Sequence, residues 1–227
     1  MISYELNNDI AVLSMDDGKA NVVGHSLIDD IYTYLDRAER EAKAVVIAGR
    51  EGIFSGGFDL SEFAKGAEAS LALVQRGFPM LLRMFKHPQP LIAACTGHGI
   101  AAGAFMLLAC DTRIAAMGNY KHRLPETAIG MTLPGVLHEF AAARLSPRFL
   151  TAAVIQAQAF TPEQAVEAGF VDELSEPDTV VSRAMEVATL MAELPTEVYA
   201  QNKLDCRRRS IDIMQASIDE VLASSSE

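Results

Sequence analysis

Between Pro88 and Cys110 the chain runs for 23 residues without an Asp, Glu, Lys or Arg. That length suffices to cross a bilayer as a helix. Two prolines fall in its first three residues, however, and Gly97, His98, Gly99 and Gly103 punctuate the remainder. Glycine and proline at these positions break a continuous span. The segment instead reads as a strand over Leu91–Thr96, a glycine turn, and a short all-apolar helix over Ala101–Cys110.

The flanking sequence continues that alternation. Tyr4 and Leu6, the Asn7-Asn8-Asp9 turn and Ile10 to Met15 predict a hairpin. Leu27, Ile28, Ile31, Leu35, Ala38 and Ala42 recur at helical spacing and predict an amphipathic helix over 26–43. Ala44 to Ala48 is a β-branched run closed by Gly49, which reads as a buried strand. A second helix is predicted over 68–86 and a strand over Arg113–Ala116. Beyond Pro134 the pattern is almost entirely helical. Thr161-Pro162-Glu163-Gln164 forms a capping box, Gly169 a C-terminal stop, and two closing helices follow Pro177 and Pro195. The Ser224–Ser226 tail is expected to fray. Strand–helix alternation followed by helices means α/β, or α+β with a helical C-terminal portion.

Composition narrows the partners. The 227 residues hold 30 acidic and 19 basic side chains, a net charge of −11. Such a field opposes nucleic acid and anionic membrane surfaces. Cys95, Cys110 and Cys206 form no CxxC pair and no even set, which argues against a disulfide framework and for a reducing cytoplasm. The N-terminus lacks the basic, then apolar, pattern of a signal peptide. The five histidines show no metal-ligand spacing, so no metal is assigned, and His98 is read as structural.

Two segments share one form, an apolar strand entering a glycine-rich turn. They are Val45–Ala48 leading to Phe54-Ser55-Gly56-Gly57-Phe58-Asp59, and Leu91–Cys95 leading to Gly97 through Gly103. Glycines let backbone approach a ligand closely, and a helix opening near Ala102 adds unpaired N–H groups. Two such turns facing one point make an oxyanion hole able to hold an enolate. The plainer reading is that the glycines only permit tight turns and close packing. Gly97-His98-Gly99-Ile100-Ala101-Ala102 also fits G-x-G-x-x-A, the dinucleotide fingerprint of a nicotinamide-dependent oxidoreductase. Its helix is short, and Met117 and Gly118 stand where the acidic partner is expected. Neither a G-x-S-x-G elbow nor a phosphate-binding P-loop is present.

At these residues the chain resembles the crotonase superfamily, the enoyl-CoA hydratase/isomerase family, over nearly its whole length. Phe54–Leu60 resembles the first oxyanion-hole turn, which implies the Gly56 N–H as one donor and Gly57, Phe58 and Asp59 as substrate contacts. Gly97–Asp111 is similar to the second block, implying the Ala102 N–H as the other donor. Leu124-Pro125-Glu126 with Gly130–Pro134 resembles the block that carries a catalytic Glu. Lys19-Ala20-Asn21 matches the loop that contacts coenzyme A, and Ala165–Asp172 a further family segment.

The resemblance implies a spiral core of repeated ββα units over 1–175 and a C-terminal helical trimerisation region over 176–227. It implies a homotrimer or dimer of trimers, and an acyl-CoA thioester as substrate, with coenzyme A part of that substrate and no separate cofactor. One departure matters. Hydratases of this family carry a second glutamate where this chain has Phe105, and phenylalanine neither orients water nor supplies a proton. The remaining Glu126 is flanked by Leu124, Ala128 and Ile129, surroundings that raise a carboxyl pKa. This single-carboxylate pattern is similar to the Δ3,Δ2-enoyl-CoA isomerases, with Phe105 as apolar wall and Phe58, Phe63 and residues 64–78 shaping the acyl pocket. Enoyl-CoA hydration and a catalytically inactive acyl-CoA-binding role are the alternatives. Lys203 and Arg207, Arg208 and Arg209 form either a solvated face or contacts to coenzyme A phosphates.

Overall fold

The computed structural model describes residues 1–223; the Ser224–Ser226 tail lies outside the described residues. Strands β1 (Ile2–Asn7) and β2 (Ile10–Met15) form an antiparallel hairpin. Its turn residues Asn8 and Asp9 both take positive φ, the conformation a two-residue hairpin loop requires. Helix α1 (His25–Glu41) follows and buries the predicted stripe Leu27, Ile28, Ile31, Leu35 and Ala38.

The chain then repeats one path three times. The first turn is β3 (Ala44–Ala48), β4 (Gly52–Ser55) and helices α2 (Leu60–Phe63) and α3 (Ala67–Phe85). The second is β5 (Leu91–Cys95), β6 (Gly97–Ile100) and α4 (Ala102–Ala109). The third is β7 (Thr112–Ala116), β8 (His122–Arg123), a 3-10 turn over Glu126–Ile129 and α5 (Gly135–Arg144). After α6 (Pro162–Ala168) comes β9 (Glu173–Ser175). The first strand of each turn enters a six-stranded sheet ordered β1-β2-β3-β5-β7-β9, parallel from β2 onward. The second enters a three-stranded parallel sheet, β4-β6-β8. This is a spiral of ββα units.

Gly97–Ile100, read from sequence as part of a turn, is a strand. The reason lies in strand β4: a Cβ on Gly97 would stand 2.0 Å from the Gly52 carbonyl carbon. These glycines serve close backbone approach as well as chain reversal. Strands β4, β8 and β9 also escaped the sequence reading, because they are short and two of them lie in segments rich in polar residues. Among the described residues no helix is long and apolar enough to cross a membrane.

Two closing helices, α7 (Val180–Ala192) and α8 (Thr196–Ala223), pack on the core of their own chain. Val180, Ala184 and Ala188 of α7 cover one face of the large sheet against Val46, Ile92 and Ile114. Burial on both faces explains why β3 and β5 are uninterrupted apolar runs. Helix α8 is anchored between α3 and α5 by Met214, Ile218 and, unexpectedly, Lys203.

Lys203 Nζ donates to the carbonyls of His87 (2.7 Å) and Gln89 (2.8 Å) and to Asp111 Oδ2 (2.6 Å). Arg207 donates to the Phe85 carbonyl and pairs with Asp111. Neither residue forms a solvated face, and neither is free to hold a nucleotide phosphate from this position. Replacing Lys203 by Met is expected to cost about 3 kcal/mol, the low end for breaking a buried pair, because Arg207 still answers Asp111. A lower urea midpoint at unchanged m-value is the measurement.

Candidate active site

The turn after β4 is held by a loop far away in sequence. Asn21, buried and at φ 48°, sends its Nδ2 to the carbonyls of Met15 and Phe54. The Asn21 carbonyl accepts from Ser55 Oγ at 2.7 Å, and Ser55 Oγ in turn accepts from Gly57 N. Asp17 closes the loop by accepting from the amides of Lys19, Asn21 and Val22. Those backbone donors hold its carboxyl below the usual range against the opposing effect of burial, the larger single influence. The Arg50 guanidinium clamps the Lys19 carbonyl. Lys19 and Ala20 thus build the loop behind the turn.

This arrangement decides which amide points where. Gly56 N donates to the Ala20 carbonyl at 2.8 Å, so the donor assigned to Gly56 is already engaged. Gly57 N goes to Ser55 Oγ and Asp59 N to the Val23 carbonyl at 3.2 Å. Between them the Phe58 N–H has no acceptor among the described residues. Gly57 adopts φ 98°, where side chains are strained, and a Cβ there would lie 2.7 Å from Ala101 Cβ and 3.3 Å from Ala102 N. The peptide preceding Phe58 therefore abuts the start of α4. As the first residue of that helix, Ala102 has no intrahelical acceptor for its N–H. Ala101, just before it, is held at φ 50°, a sparsely populated conformation for alanine.

A cavity of about 260 Å³ opens beside these amides. Phe58, Phe63, Val74, Phe78, Ile100 and Leu137 supply much of its wall, and Gly56, Ala101 and Ala102 lie at its edge. Phe58 sits against Phe63 at 6.2 Å and Phe78 at 6.0 Å between ring centroids. Glu126 is the one titratable side chain among the described lining residues. It opens the 3-10 turn, is 8% exposed, and its Oε2 is buried without a hydrogen-bond partner. Desolvation pushes its carboxyl above the usual value, outweighing a hydrogen bond from its own backbone.

Of the predicted substrate contacts Lys19, Ala20, Gly57, Phe58, Asp59 and Phe105, only Phe58 lines this cavity. Phe105 is fully buried at the end of the first turn of α4, with its ring 6.3 Å from that of Phe140; it does not line the wall. The Asp59 side chain caps α2 by accepting from Ser61 N at 2.9 Å. The Phe58 amide, by contrast, went unrecognised. Nothing local in Ser-Gly-Gly-Phe-Asp distinguishes its amides, since their directions are set by Ala20, Val23 and Asn21.

The two-sheet spiral, with a lone desolvated carboxylate lining the same cavity as the first residue of a buried helix, defines a crotonase-fold protein. A family model described as enoyl-CoA hydratase/isomerase matches residues 5–220, and the chain belongs to that family. It is 30% identical over 209 residues to a probable enoyl-CoA hydratase of Bacillus subtilis (strain 168), covering 88% of this chain and 79% of that protein. It is 27% identical over 217 residues to the mitochondrial enoyl-CoA delta isomerase 1 of Rattus norvegicus, covering 93% and 75%. Among solved structures, an enoyl-CoA hydratase from Mycobacterium marinum superimposes with TM-score 0.93 at 38% identity over 98% of both chains. A Mycobacterium tuberculosis enoyl-CoA isomerase gives TM-score 0.93 at 38% identity over 98% and 97%. That same protein is also described as a probable enoyl-CoA hydratase.

Proposed function

We propose that the chain is a Δ3,Δ2-enoyl-CoA isomerase in which Glu126 is the only acid–base group. The supporting observation is the cavity wall, where Glu126 has no second carboxylate beside it among the described residues. In this reading the thioester carbonyl of a 3-enoyl substrate lies between the N–H groups of Phe58 and Ala102. Glu126 removes a proton from C2, and the electron pair moves onto the thioester oxygen as a dienolate. The carboxylic acid then returns the proton to C4, which places the double bond between C2 and C3. Each amide donor of such a pair is worth about 3–4 kcal/mol in the transition state. Phe105 contributes by filling core space off the wall, and the acyl chain runs along Phe58, Phe63 and Phe78. Coenzyme A enters as part of the substrate, with exposed Lys19 near its path and no separate cofactor required. Association through the helices after residue 176 into trimers, and a cytoplasmic setting suited to three free cysteines, complete the proposal.

The kinship with hydratases supports a second outcome, addition of water to 2-enoyl-CoA. Assaying both substrates separates the two. Turnover of 3-enoyl-CoA with hydration of 2-enoyl-CoA at least about a hundredfold slower supports the single-base reading, since a second acid–base group is typically worth that much. Equal or faster hydration overturns it.

A further inference from the structure

A second cavity, of about 630 Å³, lies where the C-terminal ends of α4 and α5 meet the first turns of α8, and it shares no lining residue with the cavity at Glu126. Three cations line it, Arg144, Lys203 and Arg207, against one carboxylate, Asp111. Three positive charges less one negative leave a local excess of two in a chain whose net charge is −11.

Most of these groups are satisfied internally. Asp111 Oδ2 accepts from Leu91 N, Tyr199 OH and Lys203 Nζ, while its buried Oδ1 lies 2.8 Å from Arg207 as an ion pair without a hydrogen bond. Lys203 spends its three donors on two carbonyls and Asp111. Arg144 differs. One of its terminal nitrogens donates to the carbonyls of Cys110 and Asp111, while its Nε is buried with no partner. No carboxylate forms an ion pair with it among the described residues.

Capping the C-terminus of α4 accounts for part of this, because a helix end carries about half a negative charge. It leaves an excess, whereas buried cations are ordinarily paired. Burial, the largest cause, and the neighbouring Arg113 and Arg207 push the Arg144 guanidinium down to about 10, against the opposing charges of Asp172 and Asp111. Leu194 and Val198 stand exposed at the rim and add an apolar side.

We propose that this cavity binds a small organic anion. Its carboxylate or phosphate oxygens meet Arg144, and its apolar part lies against Leu194 and Val198. The site is separate from the acyl-CoA cavity, and the inference stands whether or not the isomerase reading holds.

Calorimetric titration of the full chain with inorganic phosphate and, separately, with hexanoate tests it and tells the two headgroups apart. Saturable millimolar binding of at least one probe is expected, about tenfold or more weaker in Arg144→Gln. An acyl-CoA analogue should bind both proteins equally. If Arg144→Gln fails to fold, Val198→Asp places a negative charge on the exposed rim and should weaken the same binding. Absence of saturation, equal affinity in the variants, or displacement of the probe by the acyl-CoA analogue overturns the proposal.

Discussion

In the Glu126→Gln variant, kcat for isomerisation of a 3-enoyl thioester falls by about 10³-fold, within the range for losing a general acid–base group. The affinity for the thioester stays close to that of the parent, because the amide keeps the carboxylate's shape and the walls are untouched. Pre-steady-state binding and steady-state turnover, measured together, provide the check. Retained turnover removes Glu126 from the chemistry, whereas lost binding makes it a structural residue.

The same carboxyl sets a pH dependence of definite sign. Burial raises its pKa above the ordinary glutamate value, and catalysis begins from the ionised form. The acid limb of kcat/KM should therefore fall at a pH above the ordinary glutamate range. Stability runs the opposite way. A folded-state pKa above the unfolded one means the native protein holds this proton more tightly. Its stabilising contribution is complete below the unfolded pKa and is lost as pH rises through the folded pKa. At neutral pH the native state carries a poorly solvated charge, so Glu126→Gln should melt no lower than the parent. It should also show a flatter melting profile from pH 4.5 upward.

Gly57→Ala is expected to cost about 10²–10³-fold in kcat, the amount typical of losing one oxyanion donor. Added at φ 98°, the methyl would lie 2.7 Å from Ala101 Cβ and 3.0 Å from the Ile100 carbonyl oxygen. The two chain segments have to separate, which moves the Phe58 amide away from the start of α4. Overpacking and strain together should lower stability by about 1–3 kcal/mol. Gly66→Ala is the control. Its φ of 115° is equally unfavourable for alanine, but no atom lies within 4 Å of the added Cβ. It should lose stability and keep its kcat. A drop in kcat of the same size in both variants would show that general strain, rather than the separation of two amides, is responsible.

The framework of the fold was legible because its signals are local. The stripe of α1 is a matter of residues three and four apart, the apolar strands β3 and β5 of unbroken runs, and the cap at Thr161 of a four-residue box. Family resemblance then brought Glu126, Ala102 and the Phe54–Leu60 turn to attention, and the fold gathers all three around one cavity. Its limits were equally physical. Lys203 belongs to a polar stretch of helix that resembles a surface, and only the meeting of α8 with Asp111 buries it.

Order along the chain, the alternation of strand and helix, and the presence of a single candidate acid are therefore properties of the sequence alone. The tertiary structure engages the Gly56 amide and leaves that of Phe58 without an acceptor among the described residues, keeps Phe105 off the cavity wall, and turns a glycine turn into a strand of a second sheet. An amide's direction is set by the acceptor that claims its neighbours. Here that acceptor is the Ala20 carbonyl, 36 residues upstream of Gly56, beyond the reach of any local pattern.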